Sequence, residues 1–150
     1  MINWQLARFG IYKITDNVYV GQYPKDDAFK TLKDIGITTI LNVSGGNYES
    51  MDFTVKNVPV VDLVEMPLSI ADDIVNIIRG AVNSGGKIYV HCIAGQNRSP
   101  GSVFIGLLAL GYNENTAIEL IEDSTLDSVA KHDKIITDKV VAHIKKKYVI

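Results

Sequence analysis

Two almost wholly apolar segments, joined by a short polar loop, dominate the second half of the chain. The first, KIYVHC at residues 87–92, has the β-branched and aromatic residues typical of a strand. The second, VFIGLLALG at residues 103–111, is apolar on nearly every helical face, which is typical of a buried helix. Ser99 and Pro100 precede it as an expected N-cap and first-turn proline. The sequence therefore predicts a strand, a tight loop and a buried helix in direct succession.

Shorter patterns on either side predict further strands and helices. Alternation around Asp16 and Asn17 predicts two short strands joined by a turn, and two more strands are expected at residues 37–43 and 53–61, the last ending near Val61. Helices are expected at four further places: residues 25–36, from Ser69 to Gly85, from Asn113, and from about Val129 with Ile136, Val140 and Ile144 on one face.

Strands that alternate with helices indicate an α/β layer structure. We expect one domain over residues 1–150, with a central mixed, mostly parallel sheet of about five strands flanked by helices, because 150 residues can bury one sizeable core. Trp4, Phe9 and Tyr12 are expected to hold the N-terminal segment against that core.

The composition of the chain limits the classes of partner that we expect it to bind. With 15 Lys and Arg against 17 Asp and Glu, the formal net charge of -2 gives no electrostatic basis for binding nucleic acid or an anionic membrane. One cysteine can form neither an internal disulfide nor a cysteine-based zinc site, and it suits a reducing compartment. The start MINWQLARFG lacks a cationic segment followed by an apolar run, and no stretch approaches the roughly 18 apolar residues of a membrane span. We expect a cytoplasmic, monomeric protein.

The single cysteine lies in the polar loop, within the segment VHCIAGQNRSP. Unpaired N–H groups and the dipole at the start of a helix favour an anion in such a loop, and together with Arg98 they favour the thiolate of Cys92, a nucleophile. Arg98 also offers a planar fork of donors that matches phosphate oxygens, and Gly95 lets the backbone turn towards an oxyanion. An inert core cysteine would leave Arg98 and the Ser99 cap unexplained. The residues indicate a phosphate held against a sulfur nucleophile.

The segment HCIAGQNRS resembles the His-Cys-x5-Arg-Ser/Thr signature of the cysteine-dependent protein phosphatases, in their small, atypical dual-specificity branch. The segment at residues 14–44 resembles the opening of that family's catalytic domain, and DLVEMPLS at residues 62–69 resembles the segment that carries its general acid. Together the similar regions cover most of residues 11–125. The order of strand, loop, helix and upstream acid makes the resemblance specific.

The resemblance implies a role for each loop residue, without metal or cofactor. Cys92 would attack phosphorus to form a phosphocysteine, and Ser99 would hydrogen-bond the sulfur and help it leave. His91 would be a buried orienting group. The equatorial phosphate oxygens would be held by the Arg98 side chain and by the N–H groups of the loop residues Ile93, Ala94, Gly95, Gln96, Asn97 and Arg98.

The general acid must be a loop carboxylate that reaches the leaving oxygen. The resemblance favours Asp62, at the end of a predicted strand and before the expected helix start at Ser69. Glu65, in the same loop, comes next, and Glu49 and Asp52 are also candidates.

The resemblance implies a phosphatase acting on phosphorylated proteins or small phosphomonoesters. Gln96 and Asn97 put no cation inside the loop, whereas phosphoinositide phosphatases usually carry lysines there. Asn97 and Arg98 also resemble part of the loop of RNA 5′-triphosphatases, which carry threonine after the arginine and a more basic surface. A module that binds phosphorylated proteins without hydrolysis is a candidate from another class, and the presence of Cys92, Arg98 and Asp62 argues against it.

Overall fold

The computed structural model, which describes residues 1–149, contains one five-stranded sheet. Its strands are β1 (Ile11–Lys13), β2 (Val18–Gly21), β3 (Thr39–Asn42), β4 (Thr54–Asn57) and β5 (Ile88–His91). They lie in the order β1-β2-β5-β3-β4, with β1 antiparallel to β2 and the other neighbours parallel. This confirms the predicted α/β fold class with its mixed, mostly parallel sheet.

Helices cover both faces of the sheet. Their bounds are α1 (Trp4–Ala7), α2 (Asp26–Asp34), α3 (Leu68–Asn83), α4 (Arg98–Ala109), α5 (Glu114–Ser124) and α6 (Asp138–Tyr148). Residues of α1 and α2 pack with one face of the sheet, and residues of α3 to α6 pack with the other. Within residues 1–149, no helix combines the length and the apolar character that a membrane crossing requires.

The central strand and the apolar helix form the middle of the molecule. Ile88 and Val90 of β5 pack with the larger core, whereas Tyr89 points to the smaller one, as the alternation of a strand requires. Every residue of α4 from Ser99 onward is buried. At Gly106 a Cβ atom would lie 2.6 Å from Ile78 Cδ1, so the glycine lets α4 approach α3 closely.

The register of the parallel strands places Cys92 at one end of the sheet. Gly21 of β2 and Asn42 of β3 both lie opposite His91, the last residue of β5. Cys92 therefore leaves the sheet at the carboxyl edge of three adjacent parallel strands, which is where α/β proteins bind ligands.

The predicted start of α4 is wrong. The helix begins at Arg98, with Asn97 as the N-cap residue, and Ser99 is already helical. The hydroxyl of Ser99 bonds to the Cys92 sulfur and the Gly21 carbonyl instead of capping the helix. Pro100 is then the third helical residue, where the absence of an N–H still costs no helical hydrogen bond.

Other predicted boundaries also differ from the structure. The helix expected from Ser69 begins at Leu68 and has no side-chain cap, and the strand expected to end near Val61 ends at Asn57, before Pro59, which has no N–H to donate. The helix expected from Val129 begins only at Asp138.

The N-terminal segment is anchored differently from the prediction. Trp4 is 66% exposed, so its expected packing on the core is wrong. Leu6 is the buried residue of α1, and Phe9 and Tyr12 are partly buried against the core.

Candidate active site

Cys92 follows β5 directly and opens the loop that leads to Arg98 at the start of α4. This loop forms one wall of a cavity of about 150 Å³, and Asp62, from the segment before α3, lies on the same cavity. The loop residues that line it are Cys92, Ile93, Ala94, Gln96, Asn97 and Arg98. The structure therefore brings the predicted nucleophile, arginine and general acid together in a space of limited size.

Carbonyl groups of the loop are held by donors from outside residues 92–98. The pairs are Cys92 O with His91 Nδ1 at 3.0 Å, Ile93 O with Tyr23 N at 3.0 Å, Gly95 O with Ser128 Oγ at 2.9 Å and Gln96 O with Val129 N at 2.8 Å. In a trans peptide the next N–H points opposite to the carbonyl. The N–H groups of residues 93, 94, 96 and 97 are therefore turned away from these donors, and all four residues line the cavity. Such a set of amides binds an oxyanion.

Gly95 is required by the shape of the loop. Its φ of 74° lies in the left-handed region, which residues with a Cβ seldom adopt. A Cβ atom there would also lie 2.8 Å from the carbonyl carbon of Gly21. The close approach of the loop to the end of β2 lets the Gly95 N–H point at the Cys92 sulfur, 3.3 Å away.

The sulfur of Cys92 has a second polar neighbour. Cys92 is 3% exposed, and its Sγ lies 3.2 Å from Ser99 Oγ, which in turn lies 3.1 Å from the Gly21 carbonyl oxygen. A hydroxyl has one proton to donate. With a thiol, the S–H donates to Ser99 and Ser99 donates to Gly21; with a thiolate, the Ser99 proton turns to the sulfur. Ser99 can therefore stabilise the anion without movement of the backbone.

Arg98 is fixed by the two segments that follow β3 and β4. Its Nη1 donates to the carbonyl oxygens of Ser44, at 3.0 Å, and Val60, at 3.2 Å. A guanidinium has five N–H donors. These two bonds use both protons of Nη1, so Nε and Nη2 remain to form a parallel pair of bonds to two phosphate oxygens.

His91 is completely buried, and both of its ring nitrogens have partners. Nδ1 donates to the Cys92 carbonyl oxygen at 3.0 Å, so the neutral ring accepts at Nε2 from the hydroxyl of Tyr48, at 2.8 Å. Burial lowers the pKa of His91 to about 4 and raises the pKa of Tyr48. At neutral pH the imidazole is therefore uncharged and holds the backbone at the cysteine.

The four candidate acids lie in different surroundings. Asp62 lines the cysteine cavity, whereas Glu49 and Asp52 line a separate one. Asp52 also pairs with a lysine of α2 at 2.9 Å. Glu65 accepts a hydrogen bond of 2.7 Å from Thr137 Oγ1. Among the four, Asp62 alone lies on the cavity that contains the sulfur.

The residues that support the loop from a distance were not predicted from the sequence. Tyr48 lies in a mostly polar segment, and an aromatic residue in such a segment could have indicated a contact with the core. Ser128 and Val129 were expected at or near the start of a helix, and nothing in their local pattern indicates contact with the loop.

Among residues 1–149, no group of three or more His, Cys, Asp or Glu side chains is arranged to hold a metal ion.

The chain is similar to known phosphatases in sequence and in structure. Dual specificity protein phosphatase 1-A of Xenopus laevis is 32% identical over 93 residues, which are 60% of this chain and 25% of that protein. Protein tyrosine phosphatase type IVA 2 of Mus musculus is 25% identical over 127 residues, 80% of this chain and 73% of that protein. The crystal structure of human DUSP28 has the same fold, with a TM-score of 0.74 at 18% identity over 93% of each chain. This chain spans about a quarter of the length of the Xenopus protein.

The family model described as dual specificity phosphatase, catalytic domain, matches residues 18–136. The match includes the loop from Cys92 to Arg98 as well as Asp62, and it covers most of the chain. It confirms the resemblance to the dual-specificity branch of the cysteine-dependent phosphatases. The chain therefore belongs to the family of dual specificity phosphatase catalytic domains.

Proposed function

We propose that this protein is a phosphomonoester hydrolase that removes phosphate from tyrosine, serine and threonine side chains through a phosphocysteine. The observation that carries the proposal is the cavity itself. It combines a cysteine sulfur, a set of backbone N–H groups and an arginine with two donor positions left for oxygens. Asp62, which lines the same cavity, supplies the carboxylic acid that a poor leaving group needs.

In the first step the Cys92 thiolate attacks phosphorus. The S–P bond forms while the bond between phosphorus and the leaving oxygen breaks, and the carboxyl group of Asp62 gives its proton to that oxygen. Arg98 and the loop amides hold the three equatorial oxygens, on which the charge of the transition state is spread.

In the second step water attacks the phosphocysteine. Asp62, now a carboxylate, takes a proton from the water, the O–P bond forms, and the S–P bond breaks. The Ser99 hydroxyl donates to the departing sulfur, which is 3.2 Å away. Phosphate leaves, and the thiolate and the protonated Asp62 are restored.

The nucleophile is tested with Cys92→Ser and a small aryl phosphate. Serine keeps the shape of the loop but is far harder to ionise than a thiol, so we expect hydrolysis to be abolished and inorganic phosphate to bind as before. Met51→Ser is a matched control, because Met51 is fully exposed and lies outside the cavity. Activity of Cys92→Ser within tenfold of the wild type would exclude Cys92 as the nucleophile.

The general acid is tested by comparing Asp62→Asn with Glu65→Gln. With phenyl phosphate, Asp62→Asn should lose about 10²–10⁴ in kcat, and the basic limb of its pH profile should flatten. With nitrophenyl phosphate, whose leaving group needs little protonation, the loss should be smaller. If Glu65→Gln showed these effects and Asp62→Asn did not, the acid would lie three residues further along the loop.

We also propose that the protein acts without a metal or cofactor, as a monomer, in the cytoplasm. One unpaired thiol and a net charge of -2 support a reducing compartment without nucleic acid or an anionic membrane as partner. Full activity in excess EDTA is expected, and activity that is lost with EDTA and restored by a divalent metal would contradict the metal-free mechanism. A phosphopeptide, a phosphoinositide and a 5′-triphosphorylated RNA, tested on one preparation, should show turnover of the peptide.

A further inference from the structure

Large apolar side chains are exposed in the three segments that form or contact the loop of the cysteine cavity. We call this set the apolar rim: it consists of Val61 (66% exposed), Leu63 (47%), Val64 (53%), Ile93 (56%), Leu126 (45%) and Val129 (37%). The other large apolar residues exposed within residues 1–149 are Met1, Trp4, Met51 and Val149. Apolar side chains that are exposed together on a soluble domain mark an interaction site more often than isolated ones do.

Three segments contain the rim residues. One is the loop of residues 92–98, which we call the phosphate loop, and the other two contact it. Arg98 donates to the carbonyl oxygen of Val60, which directly precedes the segment of Val61, Leu63 and Val64. Asp62, within that segment, lines the cavity, and so does Ile93. Leu126 and Val129 belong to the third segment, in which the Val129 N–H donates to the Gln96 carbonyl oxygen at 2.8 Å. Ile93 of the rim therefore lines the cavity itself, and the other rim residues lie in segments that contact the loop or flank Asp62.

The charges of these segments limit what the rim can bind. Residues 60–64, 92–98 and 125–130 contain a single cation, Arg98, which the cavity uses for the phosphate. They also contain two acids, Asp62 in the cavity and the exposed Asp127. Lys131, which follows the third segment, is paired with Asp133 and Asp138. Hence these three segments offer no basic side chain beyond Arg98 for a second phosphate or for acidic residues beside the first one.

Leu63 has a strained backbone conformation. Its φ is 58°, a left-handed conformation that residues with a Cβ seldom adopt. The residue lies directly after Asp62 and still presents an aliphatic side chain to solvent. Strained residues in such positions are concentrated at ligand-binding sites.

We propose that the apolar rim binds aliphatic or aromatic side chains on either side of the phosphorylated residue of a protein substrate. The substrate is then a singly phosphorylated segment with apolar neighbours. An acidic or doubly phosphorylated segment is disfavoured. A membrane is the less fitting occupant, because binding to anionic lipid headgroups relies on lysine and arginine, which the rim lacks. The inference rests on the proposed hydrolase function and specifies its substrate.

The test uses three phosphotyrosine peptides that differ only in the residues flanking the phosphotyrosine: leucine, serine or glutamate. We expect kcat/KM to be about tenfold higher for the leucine peptide than for the serine peptide, and lower again for the glutamate peptide. In the double variant Leu63→Ser/Leu126→Ser, the ratio of leucine to serine peptide should fall to about two. The ratio should be unchanged in Met51→Ser, which removes an exposed apolar side chain outside the rim.

The ratio of two peptides separates the rim from the chemistry, since both peptides share one leaving group. If the wild type hydrolyses a small aryl phosphate but does not distinguish the leucine from the serine peptide, the rim inference fails and the hydrolase function stands. If it hydrolyses neither peptide nor aryl phosphate, the proposed function fails. Co-sedimentation with phosphatidylcholine vesicles that is lost in the double variant would assign the rim to a membrane and overturn the proposal.

Discussion

Lowering the pH from about 7.5 to about 4.5 is expected to destabilise the protein through His91. Burial lowers the pKa of this residue from the ordinary value of 6.5 to about 4. The unfolded chain therefore takes up the proton more readily, so the contribution of His91 to stability is complete above pH 6.5 and is lost as the pH falls from 6.5 to about 4. The difference corresponds to about 3 kcal/mol in full, of which about 2.5 kcal/mol is lost by pH 4.5.

The assay is urea unfolding of the wild type and His91→Asn at both pH values. Asparagine can still donate to the Cys92 carbonyl oxygen but does not titrate, so the variant should lose about 2.5 kcal/mol less than the wild type on acidification. Met51→Ser, at a fully exposed residue that does not titrate, should lose as much as the wild type. Although burial raises the pKa of Asp72, its hydrogen bonds outweigh that effect and lower it to about 2, below the tested range.

Direct titration keeps the prediction testable if His91→Asn does not fold. The ring proton resonances of His91 in the folded wild type should stay in the neutral position down to about pH 5. A midpoint near 6.5 would refute the assignment of His91 as a buried, neutral group.

Three further substitutions test the loop and its supports. Arg98→Lys keeps the charge but loses the fork, so kcat/KM should fall by about 10²–10³; near-normal kcat/KM would show that charge alone suffices. Ser128→Ala removes the donor to the Gly95 carbonyl oxygen, so the inhibition constant of inorganic phosphate should rise about fivefold, and an unchanged constant would remove Ser128 from the loop's support. Tyr48→Phe leaves His91 Nε2 buried without its donor and should cost about 1–2 kcal/mol in urea unfolding; equal stability would contradict the assigned hydrogen bond.

Local pattern was sufficient for the centre of the fold. The strand β5 follows from a run of β-branched and aromatic residues, and the buried part of α4 follows from the apolar segment that starts at residue 103; both elements are buried in the structure. The turn at Asp16 and Asn17 and the start of α5 after Asn113 were also predicted, because their signals are local turn and cap chemistry.

Predicted helix boundaries were wrong where the residues on which the prediction relied form tertiary contacts instead. Ser99 has the chemistry of a cap, but the Cys92 sulfur and the Gly21 carbonyl take its hydroxyl. Ile136 fits the helical pattern of α6 and is buried, yet the segment before Asp138 is not a helix. Part of that segment is held to the phosphate loop through the Val129 N–H.

In the candidate site, too, some residues were predicted from the sequence and others were not. Cys92, Arg98 and Asp62 were predicted from the sequence because their residue types and order are tied to one chemistry. Tyr48 was not, since its contact with His91 spans 43 residues and depends on the packing of β3 beside β5. The candidate reactive groups can therefore be predicted from the sequence, whereas the residues that support them from distant segments cannot.

The most direct test of the proposed chemistry is the detection of a phosphoryl group on Cys92 itself. Ser99→Ala removes the donor that helps the sulfur leave, so the intermediate should accumulate when this variant is mixed with nitrophenyl phosphate and quenched in acid. Mass spectrometry should then find one added HPO₃ group on the peptide that contains Cys92, and none when Cys92→Ser is treated in the same way. Turnover by Ser99→Ala with a burst of nitrophenol but an unmodified Cys92, or with the phosphoryl group on another residue, would contradict the central claim.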